Sequence, residues 1–189
     1  GNLYLALFFI GFASLIVGMG LDAIPAYITL ATLMAPALID LGVPDIAAHL
    51  YVVYWGLASF YTPPMCIVVY VVIGISGTKV WETGWEAVRI GIAAFFIPFG
   101  FALNPALMLR GTLTEIFWAV GTATIGAILV ACGARGFALR DMGVVERIIF
   151  LVAGAFFIAP GYQLPAAGLA IALVLLGIQY MRGRAIAET

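Results

Sequence analysis

The stretch IAAHLYVVYWGLASFYTPPMCIVVYVVIGIS, residues 46–76, decides the fold of this chain. It contains no Asp, Glu, Lys or Arg, and it is longer than the about 20 helical residues that cross a membrane. Thr62-Pro63-Pro64 lies near its middle. Two adjacent prolines remove two backbone donors, and the second disfavours helical geometry at the first. We therefore expect a broken helix over 46–76, in which two half-helices are joined by an unwound segment, the break (residues 59–64).

The rest of the chain has the same apolar character. Of its 189 residues, 65% are hydrophobic and 9% are charged, whereas an average soluble domain has about 45–50% and about 25%. This composition excludes a soluble globular protein and predicts an all-α, polytopic helical membrane protein. Five more uncharged runs support the prediction: 1–21, 23–39, 90–109, 116–134 and 148–181.

A second interruption lies near the start of the chain. The sequence Gly18-Met19-Gly20-Leu21-Asp22-Ala23-Ile24-Pro25, here the hairpin tip (residues 18–25), separates two apolar limbs within residues 3–39. Its glycines, aspartate and proline break a helix. Because each limb is slightly short for a full span, we expect a re-entrant helical hairpin, whose loose backbone must be covered by protein or a water-filled cavity.

The two interruptions carry the candidate chemistry. Asp22 is an acidic residue inside a predicted membrane segment, which costs several kcal/mol unless the carboxylate is paired, solvated or bound to an ion. It is therefore a candidate binding residue, and the alternative is that it caps the second limb as a helix N-terminus. In the break, free carbonyls beside Ser59 and Thr62 suit a hard cation such as sodium, and half-helix N-termini suit a carboxylate. Two interrupted apolar elements favour a secondary transporter.

The segments after residue 77 are expected to form further helices. Residues 78–89 have the charge and tryptophan pattern of an interfacial helix, and a span is expected over 90–109. Residues 110–189 are expected to be accessory C-terminal transmembrane helices. Pro160-Gly161 favours two spans within 148–181 over a single tilted helix.

Orientation follows from the basic side chains, which fall mainly on one predicted side of the membrane. The residues on that side are Lys79, Arg89, Arg135, Arg140, Arg147, Arg182 and Arg184. Arg110 falls on the other side. The excess of basic residues predicts that the first side is cytoplasmic.

A family resemblance is carried by several motifs in a fixed order. They are Gly18-Met19-Gly20-Leu21-Asp22, Pro25-Ala26-Tyr27, Ala35-Pro36-Ala37-Leu38, Leu41-Gly42-Val43-Pro44, Ala48-His49-Leu50, Thr62-Pro63-Pro64, Gly84-Trp85 and Asn104-Pro105-Ala106. This series resembles the C-terminal half of the large membrane subunit of tripartite ATP-independent periplasmic (TRAP) transporters. The tail after Arg110 resembles the extra helices of the fused permease branch. A hairpin followed by a Thr-Pro-Pro break is also distantly similar to the divalent anion/sodium symporters.

The resemblance implies a mechanism and a set of partners. Members of the family import organic acids on a sodium gradient, take them from a periplasmic binding protein, and move by an elevator mechanism in a bacterial or archaeal cytoplasmic (inner) membrane. Residues 1–109 would be the second transport repeat, and the missing N-terminal repeat of the same protein would be its partner. The chain alone should therefore not transport. Sodium would be the coupling ion, with no other cofactor.

The resemblance also implies the site residues by position. The second hairpin tip would contain Gly18, Met19, Gly20 and Asp22. The second unwound segment would contain Ser59, Thr62, Pro63 and Pro64. The sodium candidates are Gly18, Gly20, Asp22, Ser59 and Thr62. Fused permeases usually carry Pro-Thr-Thr where this chain has Asp22-Ala23-Ile24, so backbone groups and Asp22 remain for binding at the tip.

Two other classes of function are alternatives. An intramembrane aspartyl protease needs a Gly-x-Gly-Asp motif and a second membrane aspartate, but Gly18 to Asp22 contains an extra residue and no second such aspartate exists. The chain is therefore not expected to be an enzyme. A non-transporting membrane scaffold is the other alternative, above all for the helices after Arg110. A net charge of −1 without a basic cluster excludes nucleic acid as a partner.

Overall fold

The computed structural model describes residues 2–187, with side chains through Met181. The side chains of Arg182 and Arg184, which entered the predicted charge asymmetry, lie outside the described side chains. The helices in order are α1 (Leu3–Gly18), α2 (Ala23–Leu33), α3 (Ala35–Ile39), α4 (Asp45–Ala58), α5 (Ile67–Ser76), α6 (Val80–Ile90), α7 (Ala93–Leu103), a 3-10 turn (Pro105–Met108), α8 (Leu113–Arg135), α9 (Val144–Ile158) and α10 (Gln163–Ala187).

The predicted all-α, polytopic fold is confirmed. Three helical stretches of the described chain are long and apolar enough to cross a membrane: Val80–Leu103, Leu113–Arg135 and Gln163–Met181. Large apolar side chains point outward, and Ile75 and Phe117 are 88% and 75% exposed. Because water would not tolerate so much exposed apolar surface, these faces fit a lipid environment.

Both interruptions overlap the predicted ranges, but the one at the tip is shorter than residues 18–25, because Gly18 ends α1 and Pro25 already lies in the first turn of α2, where a proline is tolerated. Residues 19–22 connect α1 to α2, and the limbs Leu3–Gly18 and Ala23–Leu33 are short apolar helices. Residues 59–66 connect α4 to α5. The break is thus two residues longer than expected at its C-terminal end, because helical geometry resumes only after Cys66.

Other boundaries differ from the expected ones. The helix expected over 78–89 begins at Val80, and only Gly91 and Ile92 separate α6 from α7. Since Val80–Leu103 is long enough to cross a membrane as one unit, the interfacial position of 78–89 stays a prediction. The span expected over 90–109 ends earlier, at Leu103, because Asn104 accepts a hydrogen bond from the Ala106 amide and starts the 3-10 turn. Residues 148–181 contain two helices, divided around Pro160-Gly161.

The first half of the chain packs around α4. The Tyr51 side chain is fully buried, and its hydroxyl donates to the Leu7 carbonyl of α1 over 2.6 Å. Gly11 lets α1 approach closely, since a Cβ there would lie 2.7 Å from Cε2 of Trp55. Leu30 of α2 and Phe99 of α7 complete this core. The hairpin and the first half of the broken helix therefore form one packed unit.

The helices after Arg110 have a second core of their own. Buried Phe150, Phe157 and Leu175 lie between α8, α9 and α10. Helices α8 and α9 approach closely at two glycines, since a Cβ on Gly126 would lie 2.7 Å from the Gly154 carbonyl oxygen. Small residues at a helix contact are what close packing in a membrane requires.

Candidate functional site

The hairpin tip is built from the ends of α1 and α2. Helix α1 ends at Gly18, and α2 begins after Asp22, whose Oδ1 accepts a hydrogen bond from the Ala23 amide over 2.8 Å. Asp22 is exposed and is the N-cap of α2. Of the two interpretations of Asp22, the structure therefore displays the capping role. Ion binding by its other oxygen stays a prediction.

The break begins with two buried hydroxyls at the end of α4. Ser59 Oγ donates to the Gly56 carbonyl over 2.6 Å, and Thr62 Oγ1 donates to the Ala58 carbonyl over 2.6 Å. Both side chains are buried. Because each hydroxyl donates its hydrogen bond to a carbonyl, each hydroxyl oxygen keeps lone pairs that can accept a hydrogen bond or bind a cation.

The backbone of the break closes on itself rather than continuing as a helix. The Thr62 amide donates to the Ser59 carbonyl over 3.2 Å, and the Val68 amide, beyond the prolines, donates to the Phe60 carbonyl over 3.0 Å. Pro63 and Pro64 are joined by a cis peptide bond. Because the prolines supply no donors, amides further along the chain satisfy the carbonyls of Ser59, Phe60 and Thr62. The expectation of free carbonyls beside Ser59 and Thr62 is therefore wrong, and any cation there would share carbonyls that already accept one hydrogen bond.

The tip and the break meet at Gly18. A Cβ on Gly18 would lie 2.4 Å from the Gly56 carbonyl oxygen and 2.8 Å from Ser59 Oγ. Only a residue without a side chain allows this approach. The last residue of α1 and the first residue of the break are therefore in contact, and Met19 packs against the same core.

The other predicted residues lie away from this contact. Gly20 and Pro64 are exposed, and nothing lies within 4 Å of a Cβ placed on Gly20. Pro63 is buried, but it faces Gly84 of α6. The structure thus brings Gly18 and Ser59 together, with Thr62 one turn further on, and no hydrogen bond of its described part joins Asp22 or Gly20 to the break.

Sequence reasoning missed two residues at this contact, Ser14 and Gly56. Ser14 is fully buried on α1, and its hydroxyl has no hydrogen bond within the described chain. Gly56 lies directly under Gly18. Gly11, Ser14 and Gly18 follow helical spacing on one face of α1, and such a series of small residues is a sequence signal for close helix packing.

Several cavities lie outside this contact, and two of them are lined by residues of the sequence motifs quoted above. One of about 290 Å³ is lined by Asn104, Arg110, Glu115, Trp118 and Tyr162, where the start of α8 meets the loop before α10. The other, of about 480 Å³, is lined by Tyr27, Asp45 and His49, with the Tyr27 hydroxyl 3.3 Å from His49 Nδ1.

Comparison with known protein families gives a match over the first part of the chain. A family model described as the tripartite ATP-independent periplasmic transporter, DctM component, matches residues 1–116, which is more than half of the chain. The matched range contains the hairpin tip, the break, α6 and α7. No curated protein and no solved structure matches the chain.

Proposed function

The chain belongs to the DctM component family of TRAP transporters, and from this premise we propose that it is the permease part of a sodium-coupled importer of organic acids. Membership makes it a transporter component of a membrane-embedded system that works with a periplasmic binding protein. The sodium coupling, the carboxylate substrate, the elevator movement, the cytoplasmic-membrane location and an inverted partner repeat are the finer parts of the proposal.

The contact between Gly18 and Ser59 carries the sodium proposal. Helices α1 and α4 both end there, at Gly18 and Ala58. A helix C-terminus carries a partial negative charge of about half an electron, so two of them at one place favour a cation. The hydroxyls of Ser59 and Thr62 add oxygen atoms with free lone pairs. Hard oxygen ligands of this kind suit sodium, with no other cofactor required.

The helix N-termini support an anionic substrate. Helix α2 begins within the tip, at Ala23, and helix α5 begins three residues after the break, at Ile67. Their first amides carry a partial positive charge that suits a carboxylate. Asp22 already occupies the N-terminus of α2. In α5, the Val68 amide donates to the Phe60 carbonyl and the Val69 amide donates to the Cys66 carbonyl, so the Ile67 amide is the donor that this N-terminus offers to a substrate carboxylate.

The test is the thermal stability of the intact protein in detergent, in sodium chloride and in potassium chloride at equal ionic strength. Sodium should raise the Tm above its value in potassium, because a ligand that binds the folded state stabilises it. Thr62→Ala should reduce this difference. The matched control is Thr124→Ala, since Thr124 Oγ1 makes the same type of bond, to the Val120 carbonyl over 2.7 Å. Equal Tm values of the wild type in both salts would contradict sodium binding.

A scaffold function is the second candidate, for residues 110–189. The observation that favours it is the separate core of α8, α9 and α10. Deletion of residues 111–189 from the intact protein should then leave uptake of the organic acid measurable at saturating sodium. Loss of uptake from a truncated protein that still inserts into the membrane would show that these helices belong to the transport machinery.

A further inference from the structure

Helix α6 lies against the break. Gly84 faces it directly, because a Cβ there would lie 2.8 Å from Cγ of Pro63 and 3.5 Å from Sγ of Cys66. Gly84 and Cys66 are both buried in this contact. The proline ring is rigid, so a side chain at position 84 would force α6 and the break apart.

A second glycine of the same segment holds the other side of the break. The Tyr61 hydroxyl donates to the Gly91 carbonyl over 3.3 Å, and a Cβ on Gly91 would lie 2.9 Å from Cε2 of Tyr61. Seven residues, about two helical turns, separate Gly84 from Gly91. The two glycines therefore face the same way and support the break at Pro63 and at Tyr61.

An ion pair ties α6 to the accessory helices. The Glu86 carboxylate pairs with Arg89 of its own helix over 3.0 Å and with Arg135 at the C-terminal end of α8. Arg135 lies outside the range that the family model matches. Helix α6 thus contacts α8 through Glu86 and the break through Gly84.

We propose that Gly84 and Gly91 are positioning residues for the break, and that Arg135, through Glu86, holds α6 in place, so that the accessory helices set the sodium affinity of the site. The sodium part rests on the proposed function. A site made of backbone carbonyls and hydroxyls binds well only while the break keeps one conformation. If the competent fraction falls to between a third and a tenth, the apparent sodium affinity falls by about 3- to 10-fold.

Chemical labelling of Cys66 tests, independently of sodium, whether Gly84 of α6 supports the break. Its side chain is fully buried under Gly84, so a maleimide should label it slowly in the intact protein, with all other cysteines, including Cys132, replaced by alanine. Gly84→Ala should raise the labelling rate at least about 3-fold by opening this contact. Gly74→Ala is the matched control, because nothing lies within 4 Å of a Cβ at that helical position, and it should leave the rate unchanged.

Substitutions that remove or keep the charge of Arg135 test its ion pair with Glu86. Arg135→Gln should raise Cys66 labelling, whereas Arg135→Lys keeps the charge and should restore most of the protection. Arg110→Gln, which removes another exposed arginine, is the control. These variants lie at the surface, so they test the proposal even if Gly84→Ala fails to fold.

Measuring uptake by the intact transport system then distinguishes the two claims of the proposal, the support of the break by α6 and the effect of that support on sodium affinity. Gly84→Ala and Arg135→Gln should raise the half-saturating sodium concentration by about 3- to 10-fold with little change in maximal rate, which a general loss of folded protein would not produce. Unchanged Cys66 labelling in both variants overturns the support of the break. Raised labelling with unchanged sodium dependence overturns its effect on affinity. If labelling rises in the variants but the wild-type protein does not respond to sodium, the proposed function is overturned, whereas the support of the break by α6 is not.

Discussion

Replacing Gly18 by alanine should damage both the stability and the sodium response of this protein. The new methyl group would lie 2.4 Å from the Gly56 carbonyl oxygen and 2.8 Å from Ser59 Oγ. An ordinary contact between carbon and oxygen is roughly 1 Å longer than the first of these distances. Helix α1 must therefore move away from α4 at the point where the tip meets the break.

The size of the effect follows from two opposing contributions. Overpacking of this kind costs about 1–3 kcal/mol, because the backbone and its neighbours must shift. Alanine gains up to about 1 kcal/mol over glycine through its helix propensity. Since the atom struck belongs to the backbone of Gly56, which cannot rotate away, the cost should exceed the gain. We expect Gly18→Ala to lower the free energy of unfolding by about 1–2 kcal/mol.

The assay is denaturant-induced unfolding of the purified protein in detergent, in sodium and in potassium. Gly20→Ala is the matched control for stability in the same turn, because nothing lies within 4 Å of a Cβ there. Gly18→Ala should lose stability in potassium and should also lose the extra stability that sodium gives to the wild type. If Gly18→Ala were as stable as Gly20→Ala and kept the full sodium effect, the close contact between tip and break would not exist in the protein.

Two further substitutions test the two cores. Tyr51→Phe removes the hydroxyl that donates to the Leu7 carbonyl, so it should cost about 1 kcal/mol of unfolding free energy, whereas Tyr4→Phe, at a position 66% exposed, should cost nothing measurable. An equal loss in both would contradict the anchoring of α1 to α4. Gly126→Ala puts a methyl group 2.7 Å from the Gly154 carbonyl oxygen and, after the same gain in helix propensity, should cost about 1–2 kcal/mol, with the difference in Tm between sodium and potassium preserved. A lost sodium difference would show that the packing of the accessory core, and not only the Arg135–Glu86 pair, affects ion binding.

Local chemistry allowed much of the fold to be predicted. Gly20 and Asp22 at the tip and the Thr62-Pro63-Pro64 series disfavour a helix through their own backbone chemistry, so both interruptions could be placed from residue types. The boundaries between 78 and 109 could not be placed as well. The helix boundaries there depend on whether the chain bends at Gly91 and whether α7 ends before Asn104. Local sequence preferences are weak at both positions, so packing decides where the helices end.

The candidate site shows the same division. The sequence could name Ser59 and Thr62, because hydroxyl side chains beside a proline break are chemically conspicuous. It could not show that Gly18 lies against Gly56 and Ser59, or that Gly84 and Gly91 support Pro63 and Tyr61. Those contacts join residues far apart in the chain. The sequence around a glycine does not indicate which distant residue packs where its side chain would be.

The sequence by itself determined that the chain is a helical membrane protein with two interrupted elements, because apolar length and helix-breaking residues act locally and need no partner to take effect. The tertiary structure alone decided which ends of those elements meet. The C-termini of α1 and α4 come together since small residues on both helices allow contact there, and van der Waals packing between helices depends on shapes that no single segment carries.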